Sequence, residues 1–393
     1  MKKIKIVLIM LICMSFTGCW DKVEIDRRVF VSTIGIDVGK DIQREQELKN
    51  FKEDQLFSQR DLDKLKITYS FPDISDFAPN KAVIKGDNMF TVDTYSMEGA
   101  LGEISSRSSR NVYMEHARLI MLSNDILTYP YTMTEIFDYL ERQPKINRKA
   151  YVVMTEGKPE DFIKFKPQID SHIQSYISGL MENSNRNGYV LPVTLNELLM
   201  LLTKNGNAII PSIKIDKEKN ELILTGTSII KNYEFKGKLD PIGTLNLEIL
   251  RGKLKSGIKV VYDEGHPIDF EIDGVNRKIK AHKDGEGSNL VIDIDINLEG
   301  TIKSAYFGKK DFDKEKLKEL EDSFDKSIEY ECSKVVEYLQ KEAKVDAIGI
   351  NDHIEKFNPS IWKEVKDNWE ESFSGAQINI KVNTFIRRVG ITK

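Results

Sequence analysis

Hydrophobic and polar positions alternate with two different rhythms along this chain. In the first half the rhythms interleave. "VFVSTIGI", Val29 to Ile36, is β-branched and predicts a strand, as do Ile67–Phe71 and Met89–Val92. Met97, Ala100, Leu101 and Ile104 then recur at helical spacing. "ARLIMLS", 117–123, is a continuous apolar run of the buried-strand type, and "KAYVVMT", 149–155, is another. Between them Ile136, Phe137 and Leu140 mark the inner face of a short helix over 135–142, stopped by Pro144. Further helices are predicted over 159–164, 170–181 and 195–202, with "NSNRNG" as a loop. Gly206 and Pro211 predict a turn and a domain boundary.

Beyond Asn220 the texture is β-rich. "LILTGTSIIKNYEFKGKLD" predicts a hairpin turning near Asn232-Tyr233, and "TLNLEILRGKL" predicts a following strand. From Leu290, Ile292, Ile294, Ile296 and Leu298 alternate strictly with Asp293, Asp295 and Asn297. A long helix follows over 312–345, striped by Leu317, Leu320, Phe324, Ile328, Cys332, Val335 and Leu339. Asn358-Pro359 predicts an N-cap and first turn, and Ile361, Trp362, Val365, Trp369 and Phe373 form that helix's inner face. Ile378, Ile380, Val382 and Ile386 line a last strand.

These elements predict a multi-domain α+β protein of mixed α/β character with antiparallel sheets. Its C-terminal domain packs one long helix on a β-sheet. The expected divisions are a leader over 1–18, an N-terminal α/β region over 19–212 and a C-terminal α+β domain over 220–393. The run 40–66, dense in charge and free of Gly and Pro, is expected to be a partly helical insertion or a loop.

The leader alters the picture most. Lys2, Lys3 and Lys5 precede an apolar run from Ile6 to Phe16, and Thr17-Gly18-Cys19 follows. A basic start, a compact apolar core and small residues before a cut site describe a secretory signal peptide. The run falls short of the about 20 apolar residues that a membrane-crossing helix needs. A cysteine at the cut site points to lipidation: the Cys19 thiol would take a diacylglyceryl group and become the mature amino terminus. Two buried acyl chains give stable anchoring where one does not. Strand character returns soon after Cys19, so the first domain is expected close to the bilayer.

Removing the leader takes the net charge from −4 to −7. A mildly acidic chain with interspersed signs excludes the basic footprint of a nucleic-acid binder. Cys13 is expected to leave with the leader and Cys19 to be alkylated, which would leave Cys332 without an intramolecular partner.

Catalytic and metal motifs are missing from the sequence. The five histidines, at 116, 172, 266, 282 and 353, include no i, i+4 pair. Asp293-x-Asp295-x-Asn297 has the opening of a calcium loop, but Leu298 stands where that loop needs Gly, and the alternation argues for a strand. There is no phosphate-binding glycine loop and no nucleophile elbow. Cys332, on the apolar stripe, reads as core, as do Trp362 and Trp369. No catalytic, cofactor or metal residue is assigned.

Cys19, Trp20, Asp21, Glu24 and Ile25, then Gly35, Ile36 and Asp37, resemble the mature start of the Ger(x)C family of spore germination lipoproteins. His116, the strand after it, and Arg142-Gln143-Pro144 fit the same pattern. So do Asp346, Gly349, Pro359, Trp362, Asn368 and Trp369 ahead of "INIKVNTFIRRVG". The resemblance implies a three-domain α+β protein, lipid-anchored to the outer face of the spore inner membrane. It would be the C-subunit of a germinant receptor, acting with membrane-embedded A- and B-subunits in nutrient-triggered germination. The family carries no known catalytic residues over to this chain. The alternative class is a solute-binding lipoprotein of a transporter, which usually has two lobes built from βαβ units and is poorly matched by the β-rich second half.

Overall fold

The computed structural model describes residues 27–48, 62–72, 87–170, 172–285, 289–305 and 313–390. An eight-stranded sheet organises the first part. Its strands are β2 (Thr33–Val38), β3 (Leu65–Phe71), β4 (Asn88–Thr94), β6 (Leu119–Ser123), β7 (Tyr151–Thr155), β8 (Ala208–Asp216), β9 (Glu221–Lys231) and β10 (Glu234–Leu239), in the spatial order β10-β9-β8-β7-β6-β2-β3-β4. The inner pairs β2–β6, β6–β7 and β7–β8 are parallel. Both flanks are antiparallel meanders. Two short strands, β1 (Arg28–Phe30) and β5 (Asn111–Tyr113), pair in parallel to one side. The expected single strand over 29–36 is thus two, β1 and β2, serving different sheets.

The central strands are buried along most of their length because both faces are covered. On β6, Ile120 and Leu122 join the main core, whereas Leu119 and Met121 face a smaller cluster. The main core also takes α2 (Met97–Arg107), α3 (Pro130–Arg142) and α6 (Leu195–Asn205). The smaller cluster takes α4 (Pro159–Lys164) and α5 (Ile173–Asn183). Helix α3 starts five residues before the predicted 135–142 span, with Pro130 in its first turn. Of the charged run, residues 42–48 are helical, ending in α1 (Glu45–Leu48), and 65–66 already belong to β3; its stretch 49–61 lies outside the described residues.

The expected turn at Gly206 and Pro211 resolves differently. Gly206 closes α6 in the left-handed conformation (φ 71°), and Pro211 sits inside β8. The predicted division between 212 and 220 falls within the β8–β9 hairpin, so β9 and β10 extend the first sheet. The β9–β10 turn is where the sequence placed it: Asn232 and Tyr233 both have positive φ, as a tight two-residue hairpin requires.

The segment 244–254, expected as a strand, is α7 (Pro241–Arg251). Asp240 caps it, accepting from the Gly243 N–H at 2.6 Å, Pro241 occupies the first turn, and Gly252 (φ 66°) ends it. Thr244, Leu245, Asn246, Leu247, Ile249 and Leu250 are all buried, because α7 is wedged between the two sheets. A helix covered on nearly every side has no polar stripe, so its periodicity is invisible.

The second sheet has the order β11-β12-β13-β14: Gly257–Asp263, His266–Lys283, Leu290–Ser304 and Gln377–Val389. Its first three strands are antiparallel, and β14 returns parallel to β13. The predicted alternation on β13 holds, with Ile292, Ile294, Ile296 and Leu298 fully buried. Helix α8 (Lys314–Tyr338) packs on this sheet through Leu320, Phe324, Ile328, Cys332 and Val335, and Phe324 meets Phe270 at 5.0 Å between ring centroids. It then loosens into a π-turn over Leu339–Ala343 before Lys344 takes a left-handed conformation.

The face of α8 towards β14 does a second job. Glu329, Asp325 and Glu321 accept the backbone N–H groups of Val382, Thr384 and Ile386 at 2.8, 2.6 and 3.0 Å. Four helical residues rise about 6 Å and two strand residues about 6.6 Å, so the carboxylates stay in step with the outward N–H groups of the edge strand.

Candidate functional site

Cys19, the predicted lipidation site, lies outside the described residues together with Trp20, Asp21, Glu24 and Ile25. The first described strand begins at Arg28, nine positions later. An extended chain of that length spans at most about 30 Å. Arg28 lies over the Tyr113 ring (4.6 Å), and Phe30 meets Tyr113 and the exposed His116 at 6.1 and 4.8 Å. Strands β1 and β5 are therefore pinned together by an aromatic cluster.

The next group has structural roles. Gly35 lies in β2 beneath α4, where a Cβ would sit 2.8 Å from that of Pro159. Asp37 is buried at the end of β2, holds the Val38 N–H at 2.8 Å, and is pushed above the usual carboxylate range by burial. Arg142 pairs with Asp138, and the Gln143 N–H closes α3 on the Tyr139 carbonyl.

The C-terminal residues assemble a loop and a ring cluster. Asp346 Oδ1 accepts from the N–H groups of Ile348, Gly349 and Ile350, and Oδ2 from Asn351 at 2.7 Å. Gly349 (φ 81°) makes the turn possible and leads into α9 (Ile350–Phe357). The single helix expected from Pro359 is two: α10 (Pro359–Val365) and α11 (Trp369–Gly375), joined by a 3₁₀ turn over Lys366–Asn368. Asn358 precedes Pro359 but makes no side-chain cap. The break still lets Trp362 and Trp369, both half-buried, meet edge to face at 5.6 Å, with Trp369 6.1 Å from Phe373.

A cavity of about 340 Å³ lies where the two sheets' helices meet. The end of α6 and start of β8 form one wall. The Gly252 turn, Arg277 of β12 and the Asp346 loop with α9 form the others. Lys204 bridges the mouth to Asp352 and Glu355 of α9. Nothing in the local sequence marks this site, since its walls are drawn from segments as far apart as Leu201 and Phe357.

The described residues contain no group of three or more His, Cys, Asp or Glu placed to hold a metal ion. No described helix is long and apolar enough to cross a membrane. The Cys332 thiol is fully buried and burial pushes its pKa up to about 12, consistent with a core residue.

Two family models match the chain, described as spore germination protein N-terminal domain over residues 21–215 and spore germination B3/GerAC like, C-terminal, over residues 225–390. Spore germination protein A3 of Bacillus subtilis (strain 168) is 28% identical over 393 residues, covering 99% of this chain and 98% of its own length. Spore germination protein B3 of the same organism is 25% identical, covering 96% and 95%. The crystal structure of the GerBC protein shares the fold, with a TM-score of 0.59 and 23% identity over 82% of this chain and 93% of that one. With both models matched in order along the chain, and with full-length relatives of the same kind, this protein belongs to the Ger(x)C family of spore germination proteins.

Proposed function

We propose that this chain is a lipid-anchored subunit of a spore germinant receptor, required for nutrient-triggered germination. A diacylglyceryl group on Cys19 holds it at the outer face of the spore inner membrane. There it acts through protein–protein contacts with membrane-embedded A- and B-subunits. The observation that carries the reading is the match to germination proteins along nearly the whole chain, together with a cysteine at the leader's cut site. The short connection from Cys19 to β1 supports it, since it keeps the folded body within about 30 Å of the anchor, within reach of integral-membrane partners.

The test is Cys19→Ala expressed in spores that lack paralogous receptors. The variant is expected to lose the diacylglyceryl mass, leave the membrane fraction and respond poorly to nutrients, while vegetative growth stays normal. Full retention and full germination would refute the anchoring role. Crosslinking to co-expressed A- and B-subunits tests the partner assignment separately.

A further inference from the structure

Five Lys and Arg side chains line the junction cavity against two Asp. Both carboxylates are already engaged: Asp346 holds four backbone N–H groups, and Asp352 pairs with Lys204 at the mouth. The cations deeper in are only partly offset by carboxylates. Arg277 donates to the carbonyls of Leu250 and Ile348 at 2.8 and 3.3 Å and forms no ion pair among the described residues, the nearby Asp346 charge offsetting its own only in part. Arg251 has Glu248 beside its Nε at 3.6 Å, while its Nη1 is buried without a hydrogen-bond partner. Lys253, on the exposed rim, forms no ion pair among the described residues either, and the charges of Glu248 and Glu197 offset its own only in part.

Their mutual repulsion is felt. The Lys253 ammonium is held below its ordinary pKa first by the charge of Arg251. Burial lowers Arg277 and His353, and Arg277 lowers His353 further. Gathering like charges around a cavity costs free energy unless something of opposite sign enters it. The chain is built for this crowding: Gly252 takes a left-handed φ, and a Cβ there would lie 2.9 Å from that of Arg277. Beside the cations, Leu201, Ile209 and Phe357 give the cavity an apolar side.

We propose that the junction cavity is a binding site for a small organic oxyanion, a carboxylate or phosphate group on a short apolar body, held by Arg251, Lys253 and Arg277. Arg251 and Arg277 supply fixed positive charge, Lys253 closes over the rim, and the apolar portion lies against Leu201 and Phe357. Its walls come from both family-matched regions, so occupancy ties α6 and β8 to the Asp346 loop. The inference is independent of the receptor assignment.

The experiment titrates the purified full chain with inorganic phosphate, acetate and butyrate at constant ionic strength, reading thermal stability and calorimetric heat. A saturable response to at least one anion is expected. Phosphate alone identifies a phosphoryl ligand, and butyrate tighter than acetate identifies a carboxylate with an apolar body. Lys253→Gln and Arg251→Gln should each weaken half-saturation about tenfold, the loss of one charge-assisted contact. Lys255→Gln, exposed and outside the cavity, should not. Should Arg251→Gln fail to fold, the exposed Lys253→Gln carries the test alone. Absence of any saturable response, or saturation unchanged in Lys253→Gln, overturns the site.

Discussion

Substituting Asp325→Ala tests how β14 is held. Its carboxylate accepts the Thr384 N–H at 2.6 Å, on a residue only 3% exposed. A net contribution of about 1.5–3 kcal/mol is typical for a hydrogen bond to a charged group, and leaving a buried donor unmet costs a similar amount. The opposing term is the release of a half-buried carboxylate whose pKa burial raises, which returns part of that energy. The balance places Asp325→Ala at about 2 kcal/mol of destabilisation. Asp325→Asn retains an amide oxygen for the same N–H and should cost less than about 1 kcal/mol. Urea unfolding followed by circular dichroism, fitted at a shared m-value, gives both numbers. Joint replacement of Glu321, Asp325 and Glu329 by Ala uncovers three N–H groups of an edge strand and should add concentration-dependent association, seen by sedimentation. The reasoning fails if Asp325→Ala lies within 0.5 kcal/mol of the parent, a margin typical of an ordinary surface change, or if the amide is as costly as the methyl.

Other expectations follow from single contacts. Gly237→Ala drives a Cβ into the Tyr338 hydroxyl at the seam between β10 and α8 and should cost about 1–3 kcal/mol, with Tyr338→Ala recovering part of it in a double-mutant cycle. Asp346→Asn turns an amide N–H towards the Asn351 N–H and should cost about 2–3 kcal/mol by chemical denaturation; an unchanged midpoint would mean the loop is held by other contacts. The Cys332 thiol should resist iodoacetamide at pH 8.5 until the chain unfolds. Because burial raises its pKa to about 12, its contribution is intact below about pH 9 and is lost as pH rises towards 12, by up to about 1.4 kcal/mol per unit. Cys332→Ala should flatten the alkaline fall in stability, and an identical alkaline slope would contradict the burial.

The chain's own pattern determined those elements that present one face to the core and one to water. The β13 alternation, the α8 stripe, and the Asn232-Tyr233 turn were legible because each residue's environment repeats with the period of its backbone. Cys332 and the tryptophans could be assigned to packing for the same reason. Helix α7 was not legible, since burial on nearly all sides erases the period; only Asp240-Pro241 and Gly252 mark its ends. Strands β11 and β12 likewise escaped prediction. What tertiary structure alone decided is which distant groups meet. It carried the first sheet through β10, set the α8 carboxylates against the free N–H groups of β14, and brought Lys253, Arg277 and His353 to one cavity. Local sequence fixes dihedral preference and the side that faces inward, but charges far apart in the chain become neighbours only when sheets and helices pack, and their chemistry begins there.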